Sequence, residues 1–147
     1  MPYWRLFYHL VWATRRREPL IGPELETELH QLMHEAAARN KVTVHASGGV
    51  ADHVHLVVSI PPAISVADAV QRIKGASAHA LNDRIGGGFA WQAEYGATSF
   101  AERHLPEVMA YVVKQKQHHA SGRTWQLLEE LGDGRPDLQP ASSRLRP

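Results

Sequence analysis

The sequence predicts an α+β fold, in which an antiparallel β-sheet carries helices on one face. The prediction rests on runs rich in valine and aromatic residues, which are typical of strands, and on longer segments that repeat apolar residues at helical spacing. These segments follow one another as strand, helix, strand, strand, helix, short strand and helix. That order indicates a ferredoxin-like arrangement.

The first half of the chain supplies three strands and one helix. Residues 3–14 predict a strand because they are rich in Tyr, Trp, Phe and Val, and the basic loop "TRRREPLIG" follows them. Apolar residues at helical spacing predict a helix over 23–40, with acidic residues in its first turn. The segments "KVTVHASGGV" and 53–60 predict two paired strands that meet at a Gly-Gly turn, and Pro61 ends the second strand.

The second half of the chain is predicted to be more helical. Ser65, followed by Asp68, resembles a capping box and predicts a helix that runs from there to about residue 84. A short strand is expected over 98–100. A third helix is expected over 106–119, because proline is favoured in the first turn of helices.

The composition fits one ordinary domain, which we expect over residues 1–131, followed by a disordered Gly/Pro/Ser/Arg-rich tail over 132–147. The chain has no cysteine, so we expect neither disulfides nor thiolate metal sites, and a cytoplasmic location. No apolar stretch approaches the roughly 20 residues that cross a bilayer, so no membrane partner is expected. The formal net charge is only +1, and the average therefore says little about nucleic acid.

Two histidines, His53 and His55, interrupt the apolar segment "HVHLVVSI" at a spacing of two residues. Alternate residues of a strand share a face, so this pattern places both imidazoles on one face and the apolar residues between them on the other. At this spacing both rings can reach one divalent cation. The alternative is that the two histidines are simply polar residues on a half-exposed strand face. A metal site would also need a third ligand from another element.

The third predicted helix supplies a candidate for that ligand. In "MAYVVKQKQHH", Tyr111, Gln115 and His118 stand at positions i, i+4 and i+7, so they share one stripe of a helix. A separate apolar stripe is available to pack on the sheet. A surface tyrosine on a basic helix is the alternative. The neighbouring Lys114 and Lys116 suit a polyanionic partner.

Taken together, the histidine pair and the tyrosine helix indicate a phosphodiester site. A cation held by His53, His55 and the amide oxygen of Gln115 would polarise a phosphate oxygen. The phenol of Tyr111, once deprotonated, would attack phosphorus and form a covalent phosphotyrosine. Such an intermediate conserves the energy of the broken bond for rejoining, which favours strand transfer over hydrolysis.

Five segments of the chain carry a resemblance to a known family: "YHLVWATRRREPLI", "DHVHLVVSIPP", "IKGASAHAL", "WQAEYGATSF" and "YVVKQKQHH". In this order they resemble the single-tyrosine HUH transposases of small bacterial insertion sequences, with the REP-associated tyrosine transposases as relatives. The resemblance covers roughly residues 5–120.

The resemblance implies a function and roles for particular residues. His53 and His55 would be metal ligands with Gln115 as the third, and the cation would be Mg²⁺ or Mn²⁺. Tyr111, on a C-terminal helix, would be the nucleophile that cleaves and rejoins single-stranded DNA at hairpin-marked element ends. The intermediate would be a 5′-phosphotyrosine with a free 3′-OH, and the protein would act as a homodimer.

Basic residues are candidates for DNA contacts, because clustered cations release counterions when they bind phosphates. Arg15, Arg16 and Arg17 could instead form a solvated loop after the first strand. Arg72 and Lys74 could instead have only a surface role on the second helix. The candidates are Arg15, Arg16, Arg17, Arg72, Lys74, Lys114, Lys116 and His118.

Two other functions stay open from the sequence. One is a catalytically silent protein of the same fold that binds nucleic-acid hairpins, although such a protein has no need of the nucleophile. The other is a histidine-based phosphoesterase, which would usually pair two histidine-containing strands, whereas one such motif is evident here.

Overall fold

The computed structural model describes residues 3–122, 124 and 126–129. The predicted tail over 132–147 lies outside these residues. The described elements are β1 (Phe7–Ala13), α1 (Pro23–Arg39), β2 (Thr43–Val50), β3 (His53–Ser59), α2 (Val66–Ile85), β4 (Gly96–Phe100), α3 (Leu105–Val113), α4 (Gln115–Ser121) and α5 (Gln126–Glu129).

The four strands form one antiparallel sheet in the order β2-β3-β1-β4. With α1 between β1 and β2, and α2 between β3 and β4, this is the β-α-β-β-α-β order of a ferredoxin-like fold. The predicted α+β class is therefore confirmed. The helix start predicted at Ser65 is also observed, because its side chain accepts a hydrogen bond of 3.0 Å from the backbone N–H of Asp68.

One face of the sheet packs against α1 and α2 and forms the main core. In β3 this face consists of Val54, Leu56 and Val58, all fully buried. Leu29 and Met33 of α1 lie against it, together with apolar residues of α2. The strand period of two therefore separates these apolar residues from the histidines, as the sequence predicts.

The opposite face of the sheet is also covered, which departs from the expectation of helices on one face. Val108, Tyr111 and Val112 of α3 form a second apolar cluster with Ala46 of β2 and Val57 of β3. The physical reason is that Val57 shares its strand face with the histidines, and this apolar surface needs a cover of its own. The histidine pair is consequently enclosed and does not lie on a half-exposed face.

The predicted third helix is divided in two at Lys114, which has φ −105° and ψ 26°. α3 ends before this residue and α4 begins after it. Tyr111 and Gln115 nevertheless stay in contact, because the Gln115 side-chain amide donates a hydrogen bond of 3.2 Å to the Tyr111 carbonyl. Tyr111 and Gln115 therefore still share one stripe across the break. Tyr111 is buried against the sheet, with an exposed fraction of 6%.

The close approach of α3 to β2 depends on Gly48. A Cβ atom at this position would lie 1.9 Å from the Val112 carbonyl oxygen, a distance that no packing adjustment of side chains relieves. Glycine is therefore required here for contact between two backbones.

None of the helices in the described ranges combines the length and the apolar character that crossing a membrane requires.

A half-buried polar contact joins α1 to β2. The Ser47 hydroxyl lies 3.1 Å from His30 Nδ1 and 2.9 Å from His34 Nε2. Partial burial lowers the pKa of His30 to about 4. His30 is therefore neutral at pH 7 and becomes charged only when the protein is acidified.

We expect Gly48→Ala to destabilise the fold by about 1–3 kcal/mol, because the added methyl group forces α3 away from β2. Urea unfolding monitored by circular dichroism measures the change. Gly75→Ala is the matched control, since nothing lies within 4 Å of a Cβ at Gly75 in α2. This control should be neutral or stabilising by up to about 1 kcal/mol. Equal effects of the two substitutions would contradict the packing argument.

We expect stability to fall as the pH is lowered from 6.5 towards 4, in part because of His30. Its pKa is about 4 when folded and near 6.5 when unfolded, so within this window the unfolded chain binds more protons. Urea unfolding at pH 7 and at pH 4.5 measures the loss, which should be smaller in His30→Gln because glutamine does not titrate. Identical losses in both proteins would rule out this contribution.

Candidate functional site

The candidate site lies on the sheet face covered by α3 and is built around His53 and His55. Both side chains are buried, with exposed fractions of 2% and 0%, and their ring centroids are 5.1 Å apart. The strand brings them to one face, as the sequence predicts. Their Nε2 atoms point towards side chains that arrive from the C-terminal helices.

The orientation of His53 is fixed by the residue before it. Its Nδ1 lies 2.7 Å from Asp52 Oδ1. Because a carboxylate only accepts hydrogen bonds, Nδ1 carries the proton and Nε2 is left to face the site. Asp52 is held in turn by Arg17, whose Nε lies 3.4 Å from Oδ2. A carboxylate behind an imidazole is the usual support of a metal-binding histidine.

His55 is supported by a third histidine from the neighbouring strand. His9 of β1 is 1% exposed, and its Nε2 shares a hydrogen bond of 2.7 Å with His55 Nδ1. When the shared proton lies on Nδ1, the Nε2 atom of His55 presents a lone pair. That atom is buried and has no hydrogen-bond partner of adequate geometry among the described residues, although Glu129 Oε2 lies 3.1 Å away.

Two side chains beyond the predicted set complete the cluster. His119 of α4 places Nε2 3.1 Å from His53 Nε2 and 2.9 Å from Glu129 Oε1. Glu129 of α5 also places Oε1 3.2 Å from His53 Nε2. His53, His55, His119 and Glu129 each offer one donor atom, and these four atoms lie within 4.8 Å of one another.

Tyr111 reaches the same carboxylate from α3. Its hydroxyl donates a hydrogen bond of 2.8 Å to Glu129 Oε2. The His118 ring stacks on the phenol at a centroid distance of 4.5 Å, and the His55 ring lies edge-on at 6.1 Å. The predicted nucleophile and the predicted ligand pair thus converge on one carboxylate.

Gln115, the predicted third ligand, is 1% exposed. Its amide nitrogen donates to the Tyr111 carbonyl, whereas Oε1 is buried with no hydrogen-bond partner among the described residues. An unsatisfied buried oxygen costs free energy, so it is available as a ligand. The contacts that the structure describes do not join it to either histidine.

The electrostatics of the cluster favour ion pairing. For Glu129, burial opposes ionisation, but the neighbouring side chains of His53, His55 and Tyr111 outweigh it and lower the pKa of the carboxyl. For His53, burial is likewise outweighed, and the carboxylates of Glu129 and Asp52 raise its pKa. Burial lowers the pKa of both His55 and His9, which keeps these imidazoles neutral.

These side chains fit a divalent cation. Gln115 Oε1 is buried without a hydrogen-bond partner in the part of the chain that the structure describes, and the buried His55 Nε2 faces Glu129 Oε2 at 3.1 Å without forming a hydrogen bond. Imidazole nitrogens and a carboxylate are established ligands of divalent metals. The hydrogen bond that Asp52 accepts from His53 and the one shared by His9 and His55 already orient the histidine pair.

The predicted DNA-contact residues fall into two groups. Arg15, Arg16 and Arg17 are exposed in a short turn after β1, where Arg16 and Arg17 adopt positive φ values of 55° and 53°. Arg72 and Lys114 are also exposed. The second group is engaged within the protein: Lys74 donates to the carbonyls of Gln92 and Glu94, Lys116 pairs with Glu26, and His118 stacks on Tyr111.

The sequence reasoning missed His9, Asp52, His119 and Glu129 as members of the site. Asp52 carried a signal, since an acidic residue directly before a candidate ligand is suited to orient it. His9 required the register that pairs β1 with β3. Assigning His119 to the site required knowledge of the helix break at Lys114. Assigning Glu129 required the position of α5.

The chain matches the family model described as "Transposase IS200 like" over residues 2–115. It belongs to this family of IS200-like transposases.

Two curated relatives illustrate the similarity. The ISDra2 transposase TnpA of Deinococcus radiodurans is 29% identical over 119 residues, which cover 76% of this chain and 85% of that protein. The transposase for insertion sequence element IS200 of Salmonella typhimurium is 26% identical over 83 residues, which cover 56% of this chain and 55% of that protein.

Two solved structures share the fold. A protein from Deinococcus radiodurans R1 that is assigned as a transposase gives a TM-score of 0.64 at 24% identity, covering 84% of this chain and 95% of that one. A REP-associated tyrosine transposase bound to a REP hairpin gives a TM-score of 0.58 at 15% identity, covering 84% and 76%.

We expect Asp52→Asn to weaken the binding of Mn²⁺ by roughly tenfold or more, because the amide no longer holds the His53 ring as a carboxylate does. Isothermal titration calorimetry with Mn²⁺ measures the affinity. Asp83→Asn is the matched control, since Asp83 also pairs with a histidine, His79, but on the exposed surface. If both substitutions leave the affinity unchanged, Asp52 does not support a ligand.

Proposed function

We propose that this protein cleaves and rejoins single-stranded DNA at hairpin-marked element ends, with Tyr111 as the nucleophile. The observation that carries the proposal is the convergence of the Tyr111 hydroxyl and the Nε2 atoms of His53 and His55 on the Glu129 carboxylate. A phenol within a few ångströms of a paired-histidine site is the arrangement that phosphotyrosine chemistry needs. Membership of a transposase family supports this reading.

The reaction forms one bond and breaks one. The Tyr111 oxygen bonds to phosphorus as the bond from phosphorus to the 3′ oxygen breaks, which leaves a 5′-phosphotyrosine. The phenol gives up its proton, and the departing oxygen gains one to end as a free 3′-OH. Attack of a 3′-OH on the phosphotyrosine reverses these changes and rejoins a strand.

The residues proposed to hold the metal are His53, His55 and Gln115, whose Oε1 is buried without a hydrogen-bond partner among the described residues. A bound Mg²⁺ or Mn²⁺ would polarise a non-bridging phosphate oxygen. Asp52 and His9 keep the two imidazoles aimed into the site. His118 stacks on the phenol and restricts its orientation.

DNA binding is assigned to the exposed basic residues near the site. Arg15 and Arg16 lie in the turn that follows β1, and Arg17 of the same turn contacts Asp52 beside the histidine pair. Lys114 lies at the junction of α3 and α4. A structural neighbour is bound to a REP hairpin, which supports hairpin DNA as the substrate of this chain. We further propose a homodimer that acts in the cytoplasm.

We expect incubation with labelled single-stranded hairpin DNA and Mn²⁺ to give a covalent adduct on a denaturing gel. The adduct should fall below detection in Tyr111→Phe, because no nucleophilic oxygen remains, and in His55→Ala. Loss of the Tyr111 hydrogen bond to the Glu129 carboxylate should cost about 1.5–3 kcal/mol, and circular dichroism checks that the variant is folded.

Tyr95→Phe is the control for this assay, because it removes a half-buried tyrosine that lies outside the site. It should leave the adduct unchanged. Tight binding of hairpin DNA with no adduct in the wild-type protein would favour the catalytically silent hairpin-binding protein. Adduct formation in Tyr111→Phe would refute the assignment of the nucleophile.

A further inference from the structure

Four donor atoms around the histidine pair already have the spacing of a metal coordination shell. The distances are 3.1 Å between His53 and His119 Nε2, and 3.2 Å and 2.9 Å from these atoms to Glu129 Oε1. His55 Nε2 lies 3.1 Å from the other carboxylate oxygen, Glu129 Oε2, and one donor atom from each of the four side chains lies within 4.8 Å of the others. Bonds of about 2.1 Å in a tetrahedral site separate neighbouring donors by about 3.4 Å, so the wider pairs would have to draw together around an ion.

The buried members of this set are oriented before any ion arrives. Asp52 holds the His53 ring, and His9 holds the His55 ring. The Nε2 atom of His55 is fully buried, aims into the cluster and lacks a hydrogen-bond partner of adequate geometry among the described residues. It lies 3.1 Å from Glu129 Oε2, so this nitrogen and the carboxylate face the same point in the cluster.

We propose that His119 and Glu129 complete a closed, four-donor metal site with His53 and His55. Three imidazoles and one carboxylate suit a transition metal such as Zn²⁺, Co²⁺ or Mn²⁺ better than Mg²⁺, which prefers oxygen ligands. This donor set differs from the one assigned to the reaction, in which Gln115 is the third ligand. Mn²⁺ is suited to both.

The closed site defines a resting state of the enzyme, and this part of the inference rests on the proposed function of Tyr111. Four protein donors fill a tetrahedral shell, so no position remains for a phosphate oxygen. The Tyr111 hydroxyl donates a hydrogen bond of 2.8 Å to Glu129, which holds the phenol against the closed site. DNA would have to displace α5, whose buried Leu128 packs in the second apolar cluster beside Val108 and Val112 of α3.

The test is metal binding by the full-length protein without DNA. Co²⁺ is titrated while its visible absorption is recorded, because a tetrahedral site with nitrogen donors gives a much stronger band than hexaaqua Co²⁺. Zn²⁺ and Mg²⁺ are then added as competitors. The variants are His119→Ala and Glu129→Gln, with the exposed His79→Ala as the control. Thermal unfolding of each apoprotein checks that it is folded.

We expect one equivalent of Co²⁺ with a tetrahedral spectrum, displaced by Zn²⁺ and not by Mg²⁺. His119→Ala and Glu129→Gln should each weaken Co²⁺ binding by more than roughly tenfold. A roughly tenfold loss is typical of substituting a residue that only hydrogen-bonds to a metal ligand. His79→Ala should bind as the wild type does. An octahedral spectrum, or affinity that is unchanged in both His119→Ala and Glu129→Gln, would overturn the closed site.

The covalent-adduct assay separates this inference from the proposed function. With Mn²⁺, Glu129→Gln should form adduct at least as fast as the wild type, because it loosens the resting state. Loss of adduct in Glu129→Gln would show that the carboxylate is needed for the reaction and would refute a resting role. If the four-donor pattern holds but the wild type forms no adduct, the closed site stands and the transferase proposal fails.

Discussion

The alternation of side chains along β3 is the constraint on which the rest of the structure depends. The strand lies inside the sheet and is buried along its whole length, so each of its faces must be matched by other elements. One face is apolar and holds α1 and α2, whereas the other presents two imidazoles, one valine and one serine. A shift of one residue in register would exchange the core and the site.

The fold and the histidine pair were predictable because both follow from short-range periodicity. The spacing of His53 and His55, the capping at Ser65 and the order of elements are local features that the sequence displays directly. The cover over the histidine face was not predictable in the same way. Its key contact is between the backbone of β2 at Gly48 and the Val112 carbonyl, two points far apart in the chain.

The candidate site was only partly predictable, for a related reason. Tyr111 and Gln115 are four residues apart and remain joined whether or not the helix is straight. His9 reaches His55 through strand pairing, and Glu129 reaches the cluster from a four-residue helix whose position no periodicity defines. Lys74, predicted as a DNA contact, instead donates to backbone carbonyls of the 92–94 segment, a role that charge alone does not reveal.

The break at Lys114 has a mechanical consequence. α3 is anchored, because Gly48 lets its backbone touch β2 and its apolar side chains fill the second cluster. α4 begins after a residue outside helical geometry and carries both Gln115 and His119. The proposed nucleophile thus lies on the anchored helix, whereas the two proposed alternative ligands lie on a helix that is separated from it by a non-helical residue. A rotation about Lys114 would exchange one proposed ligand for the other without moving the tyrosine.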